Sequence, residues 1–490
     1  MGKIHRQRSK ERIQQIINAI SEEGPLTYKE LRPKLPNVTT GEHVRNLVAT
    51  GKRWGVLQNL TGDGDLPAGR MKGSTGATRF VEISRDAGCV VGLNVGRTYF
   101  AIGVADPNGR LLSTYGEPPK GLKGKAKEAA WKEYRTGQMD VHERTAGLGG
   151  EPLLKYTAKK TNEWLEKLGV AEEEIRGITL SLPTPVSTTK SKTLTNSIEP
   201  TLAPIANIER RFKTALGKGR YPKLQKVVLA NDADVAARAE VRYGKARGKR
   251  DVVALHAAFG VGAGIITDGR ILRTGAGGGV GEIGHCMPRV FSDEGVKYGL
   301  PPLDPDDELF TCACGCQGHL EAMAGGEAIV RRIECAGDTV KPKVPKELAA
   351  VLADPEKTVA QKLDKVLKVS TGEKAWAPGQ AALNDAAHLL GGAIHSVAHL
   401  FKPEAVYLSG KLGEAGEGFL EEAEEAFEDL GSLGGYAPSI ALGTNDLGTG
   451  SGAFDRRLIM VRGAAMTAVR STEPLITLDR LKALEKKFGT

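Results

Sequence analysis

Apolar residues recur at helical spacing near the start of the chain. Ile13, Ile16, Ile17 and Ile20 fall at i, i+3, i+4 and i+7, which predicts an amphipathic helix starting near Ser9 and ended by Glu23-Gly24-Pro25. Thr27 and Glu30 have the spacing of a capping box and lead into Leu31 and Leu35, although Pro33 should kink or shorten that helix. Thr39 and Glu42 repeat the spacing ahead of Val44, Leu47 and Val48. A strand beginning at Gly55-Val56-Leu57, a polar glycine-rich turn over 62–76 and a returning strand over 79–83 complete the unit. Three short helices and a hairpin make a winged helix-turn-helix plan. Its recognition helix is expected over 40–54. Thr40, His43, Arg45 and Asn46 lie at the N-terminal half, within reach of base edges or phosphates, and Lys52 and Arg53 are better placed for phosphate.

From Cys89 onward the pattern changes. Val90 to Val95 reads as a buried strand closed by Gly96, Tyr99 to Ala105 as a second, and Asp106-Pro107-Asn108-Gly109 as a tight turn into a third around Leu111-Leu112. A helix over 158–168, a strand over 177–181 and a strand over 227–229 follow. Strands alternating with helices imply an α/β body. Residues 117–150 and 338–380 read as charged surface insertions, and the tail after Ile476 as one amphipathic helix. The expected division is a head over 1–85, a smaller lobe over 86–228 completed by 461–490, and a larger lobe over 229–460.

Charge sharpens the picture of the head. Residues 1–80 carry 14 Lys and Arg against 7 Asp and Glu, a net +7, whereas the whole chain is +9, leaving +2 for the remaining 410 residues. A basic head on a near-neutral body suggests a polyanionic partner such as double-stranded DNA. Hydrophobic content of 40% and charged content of 26% are those of a soluble globular protein. No run is apolar enough to span a bilayer, and the basic, polar start is unlike an export leader. Six cysteines, three crowded into Cys312, Cys314 and Cys316, suggest a metal site and a reducing cytoplasm rather than disulfides.

Four motifs recur in order: Gly92-Leu93-Asn94-Val95-Gly96-Arg97-Thr98, Asn231-Asp232-Ala233-Asp234, Gly281-Glu282-Ile283-Gly284-His285, and the run from Cys312 to Glu321. Together they resemble the ROK family of repressors, open reading frames and sugar kinases, over roughly residues 86–470. The resemblance implies an actin-like (ribonuclease H-like), two-lobed sugar-kinase fold with a sugar in the cleft, here preceded by the small winged helix-turn-helix domain. It also implies a homodimer or homotetramer.

The family's kinases hold ATP phosphates and magnesium with an Asp-x-Gly-x-Thr loop. Here Asn94 stands for that Asp, with Gly96 and Thr98 kept and Arg97 replacing a further glycine; Gly260, Gly262 and Gly264 resemble a second phosphate loop, preceded by Phe259. Losing the carboxylate removes a magnesium ligand, so the nucleotide loop is expected to be vestigial and the protein non-catalytic. The sugar side is better kept. Asp232 matches the catalytic base, here vestigial, and Asn231, Glu282, His285 and Glu321 match residues that hydrogen-bond sugar hydroxyls. The family's metal motif maps onto His285, Cys312, Cys314 and His319, implying a structural Zn2+, with Cys316 as rival fourth ligand and an inserted loop over 293–310 between His285 and Cys312. The expected function is a sugar-responsive transcriptional regulator, most simply a repressor, sensing a sugar or sugar phosphate. The alternative is an ATP-dependent sugar kinase with an added DNA-binding domain.

Overall fold

The computed structural model describes residues 2–60, 80–96, 99–113, 137–143, 150–187, 192–193, 207–217, 227–273, 280–290, 293–444 and 456–471. In the head, α1 runs over Gly2–Glu23. It begins earlier than the isoleucine stripe announces, because Lys, Arg and Gln propagate a helix without an apolar signal. After β1 (Leu26–Thr27), the Thr27–Glu30 capping box starts α2 (Tyr28–Leu31), which gives way to a 3-10 turn over Arg32–Lys34 at Pro33. The next helix, α3 (Gly41–Arg53), is capped by Thr40, whose hydroxyl accepts from the His43 N–H at 3.2 Å. The cap therefore lies one residue later than the Thr39–Glu42 spacing predicts, because Thr40 is the last residue with extended backbone. Strands β2 (Leu57–Asn59) and β3 (Phe80–Ile83) join β1 in a sheet of order β1-β3-β2. The turn expected over 62–76 lies outside the described residues.

The body holds two five-stranded sheets. The first comprises β4 (Cys89–Val95), β5 (Tyr99–Ala105), β6 (Asp140–Glu143), β7 (Ile175–Leu182) and β10 (Val227–Asn231), in the order β10-β7-β4-β5-β6. A two-stranded ribbon, β8 (Val186–Ser187) and β9 (Lys192–Thr193), lies beside it. One face packs on α4 (Gly150–Lys167) and α5 (Ile208–Gly217), burying Leu93, Phe100, Trp164 and Phe212. The expected third strand at Leu111 is a single bridge to Ala105. Part of the first expected insertion is ordered as the edge strand β6, and residues 114–136 and 144–149 lie outside the described residues.

After β10 comes α6 (Asp232–Tyr243), then β11 (Val252–Ala257), β12 (Val261–Thr267) and β13 (Arg270–Ile271). These strands, with β14 (Ala405–Ser409) and β15 (Ser439–Leu442), form the second sheet, β13-β12-β11-β14-β15. Helices α7 (Leu320–Ala324), α8 (Gly326–Ala336), α9 (Lys346–Ala353), α10 (Val359–Ser370), α11 (Ala377–Phe401) and α12 (Glu417–Asp429) follow the metal motif. The region expected to be a charged insertion over 338–380 is helical instead. Leu348, Leu363, Val366 and Trp376 are buried in the largest core, because each charged helix still carries one apolar stripe.

The last described helix, α13 (Arg456–Ser471), lies on the first sheet. A Cβ at Gly92 would stand 2.2 Å from the Val461 carbonyl oxygen, so only glycine lets helix and strand approach this closely. The amphipathic helix expected after Ile476 lies outside the described residues. Among the described residues, no helix is long and apolar enough to cross a membrane.

Candidate functional site

A cleft of about 470 Å³ opens between the two sheets. Asn94 and Gly96 line it from the end of β4, Asn231 and Asp232 from the start of α6, and Gly260 and Gly262 from the turn into β12. Glu282, His285 and Glu321 line the same cleft. Residues from the four motifs and from the second glycine loop thus meet in one place. Gly264 does not reach it; it sits under α6, where a Cβ would lie 2.2 Å from the Ala233 carbonyl oxygen. Thr98 and Arg97 lie outside the described residues.

Several side chains have defined partners. The Asn231 side-chain Oδ1 caps α6 by accepting from the Ala233 N–H at 2.9 Å, and Asp232 Oδ1 accepts from the same N–H at 2.9 Å. Capping and a place in the cleft coexist for this pair, since the Asn231 Nδ2 group takes no part in the cap. The Val261 N–H donates to Glu321 at 3.1 Å, and a Cβ at Gly260 would fall 1.9 Å from the Glu321 carboxylate, so a side chain there would displace the carboxylate from this bond. Burial pushes the Glu282 carboxyl up to about 7, aided by the carboxylates of Asp232, Glu321 and Asp234. Asp234 is pushed up to about 6 by burial, against the pull of Arg238 and Arg273. The Asn94 side chain, 3% exposed, donates from Nδ2 to the Tyr99 hydroxyl at 3.4 Å.

Tyr99, Glu240, His256, Lys411 and Thr444 also line the cleft and carried no motif signal. Glu240 was within reach of the sequence, because it lies eight residues after Asp232 and so on the same helical face. Ser409 and Gly410 line the cleft too.

Beside the cleft, one ligand atom each from His285, Cys312, Cys314 and His319 lies within 4.8 Å of the others. The His285 and His319 Nδ1 atoms are 3.4 Å apart, Cys312 Sγ is 3.6 Å from His285 Nδ1, and Cys314 Sγ is 3.2 Å from His319 Nδ1. A tetrahedral ion with bonds of about 2.0–2.3 Å sets its ligands about 3.4–3.8 Å apart. The four residues fit such an ion and could hold it. Cys316 is exposed and outside this cluster. With Nδ1 in the cluster, His285 keeps Nε2 on the other side, 4.0 Å from the Glu282 carboxylate, so one ring can serve both metal and cleft.

In the head, α3 buries Val44, Leu47 and Val48 and exposes Thr40, Arg45, Asn46 and Arg53. His43 is half-buried, with Nε2 3.0 Å from an Arg12 nitrogen. The Lys52 ammonium is held by Asn59 and by the Tyr28 hydroxyl, so it is more tethered than its position in the sequence suggests.

A winged-helix head on a sugar-kinase-like body defines a class of two-part proteins. The ROK family model matches residues 162–432, more than half of the chain, and the chain belongs to the ROK family. It is 30% identical over 202 residues to a glucokinase of Halalkalibacterium halodurans, covering 41% of this chain and 54% of that protein. The chain spans about half the length of the first curated relatives it matches. It is 22% identical over 352 residues to a xylose repressor of Caldicellulosiruptor bescii, covering 70% of this chain and 71% of the repressor. The crystal structure of a ROK family transcriptional regulator, a homologue of the E. coli MLC protein, superposes with a TM-score of 0.62 at 16% identity, covering 97% of this chain and 98% of that one. That last likeness shows the fold, head included.

Proposed function

We propose that the protein is a DNA-binding transcriptional regulator whose ROK body senses a sugar in the cleft. The observation that carries this reading is α3, a capped helix with a polar, exposed face on a basic head. Solvent exposure of Arg45 and Asn46 beside Thr40 offers donors of the kind that read base edges in a major groove. Asn94 supports the same reading from the other end: a neutral, buried amide offers a hydrated magnesium ion less than a carboxylate would. The acids and amide around Asp232 suit a polyol, whose buried hydroxyls each cost about 1–3 kcal/mol if left unpaired. Zinc is the ion we assign to His285, Cys312, Cys314 and His319, since two thiolates and two imidazoles suit it in a closed structural site. A head with one reading helix specifies few base pairs, which favours a dimer or tetramer on an inverted repeat.

The test is selection of a duplex by the full chain from a random-sequence pool, followed by titration with Arg45→Ala. We expect enrichment of an inverted repeat. The variant should lose about 1–3 kcal/mol on that duplex and much less on random DNA. Equal losses on both would reduce Arg45 to a phosphate contact, and no enrichment at all would overturn the reading.

A further inference from the structure

One helix touches both ends of the molecule that such a regulator must connect. At its start, α6 places Asp232, Ala236 and Glu240 along the cleft, one residue per turn on a single face. At its end, Arg242 donates to the Asn108 carbonyl at 3.4 Å, and the Tyr243 hydroxyl donates to the Gly109 carbonyl at 3.2 Å. Asn108 in turn is bonded at both polar atoms of its side chain to the last residue of the head's sheet. It accepts from the Ile83 N–H at 3.1 Å and donates to the Ile83 carbonyl at 2.8 Å. Arg110 of the same turn reaches Glu82, which is fully buried. Arg242 also abuts the end of α1: a Cβ at Gly24 would lie 2.0 Å from its guanidinium.

The helix between these ends is unbroken, so a displacement at one end is carried to the other. Its length is about 18 Å for 12 residues. Its flanks are small: Ala233 and Ala237 lie against Gly264 of β12, while Val235 and Ala239 lie against Gly463 of α13. These contacts bring α6 close to both neighbours, and Glu240 accepts from the Thr444 N–H at 2.5 Å and the Thr444 hydroxyl at 2.7 Å, so the helix is coupled to the cleft wall along its length. The head itself shares one continuous core with β4, β5 and α13 through Ile17, Leu26, Val81, Val90, Ala105 and Ala465, so a shift at the 106–110 turn is delivered to a firmly seated body.

We infer that α6 is the relay between cleft and head, acting through the Arg242–Tyr243 grip on the 106–110 turn and the end of α1. This inference rests on the regulator reading given above, and its test does not require the sugar to be known. Coupling between sites is reciprocal, so DNA on the head must change the cleft end of α6 as surely as sugar changes the head. The experiment is hydrogen exchange of the full-length protein, free and saturated with the selected duplex. The readout is the amides of residues 233–236 and Val261.

In the wild-type protein DNA should change exchange there by roughly fivefold or more. In Arg242→Gln/Tyr243→Phe the change should vanish while the duplex still binds. If the double variant melts early, Tyr243→Phe alone, which removes one hydroxyl and keeps the ring beneath Arg462, should reduce the change at least in part. A cleft that ignores DNA in the wild type, or a response that survives in the variants, overturns the relay. A wild-type chain that enriches no duplex overturns the regulator reading itself, a separate and recognisable result.

Discussion

At Asn94 the side chain bordering the cleft is an amide whose Oδ1 is buried and meets no hydrogen-bond partner among the described residues. In the proposed sensor, an uncharged group here shifts the burden of ligand recognition onto the acids across the cleft. Asp234, close by on α6, is one residue whose burial affects stability. Its pKa is raised to about 6 in the folded protein against an ordinary 3.8, so between these values the native state binds more protons than the unfolded chain. Stability from this group is therefore present below about pH 4 and lost as pH rises through about 6. Asp234→Asn should flatten the melting temperature against pH over that window and raise it at pH 7; an unchanged slope relative to wild type would show that Asp234 titrates normally. The metal cluster is equally specific. Elemental analysis should find one zinc per chain, lost in His319→Ala and kept in Cys316→Ala. The reverse pattern would move the fourth ligand to Cys316.

Among the elements, the inserted loop between His285 and Cys312 is the one with the least sequence signal and the clearest structural anchor. Arg332 of α8, 3% exposed, donates to Asp385 of α11 at 2.6 Å, to Asp293 and to the Pro301 carbonyl. Asp385 also accepts from the Glu294 and Gly295 N–H groups. Arg332→Ala leaves the buried Asp385 carboxylate without its counter-charge and should cost about 3–5 kcal/mol in denaturant unfolding. A loss below about 1 kcal/mol would mean that the loop is held by its apolar contacts alone. Nothing in the spacing of Asp293, Arg332 and Asp385 could announce this clamp, because it joins three elements distant in sequence. The head was legible for the opposite reason. Its isoleucine stripe, its capping signals and Pro33 are local; the α1 start and the Thr40 cap were misplaced, and the two-residue β1 went unread. The cleft was legible where motifs are local, as at Asn231-Asp232, and illegible at Thr444 and Lys411, which arrive by long-range folding. The supposed insertion over 338–380 was misread because charge on exposed helix faces masked the stripe of Leu348, Leu363 and Val366.

The whole molecule joins a head that exposes a polar helix to a body whose cleft gathers hydrogen-bonding acids. A ligand can shift such a two-part system only by its differential affinity for the two states, and typical couplings are about 1–3 kcal/mol. The most direct measurement is the affinity of the full chain for its selected duplex, titrated with D-glucose and D-xylose, alongside ADP release from ATP in the same samples. A sugar should change duplex affinity by roughly fivefold or more. Asp232→Ala should bind the duplex as the wild type does and lose the response, and no sugar-dependent ADP should form. Sugar-dependent ADP release that disappears in Asp232→Ala, with duplex affinity indifferent to either sugar, would contradict the account and make the body a working kinase.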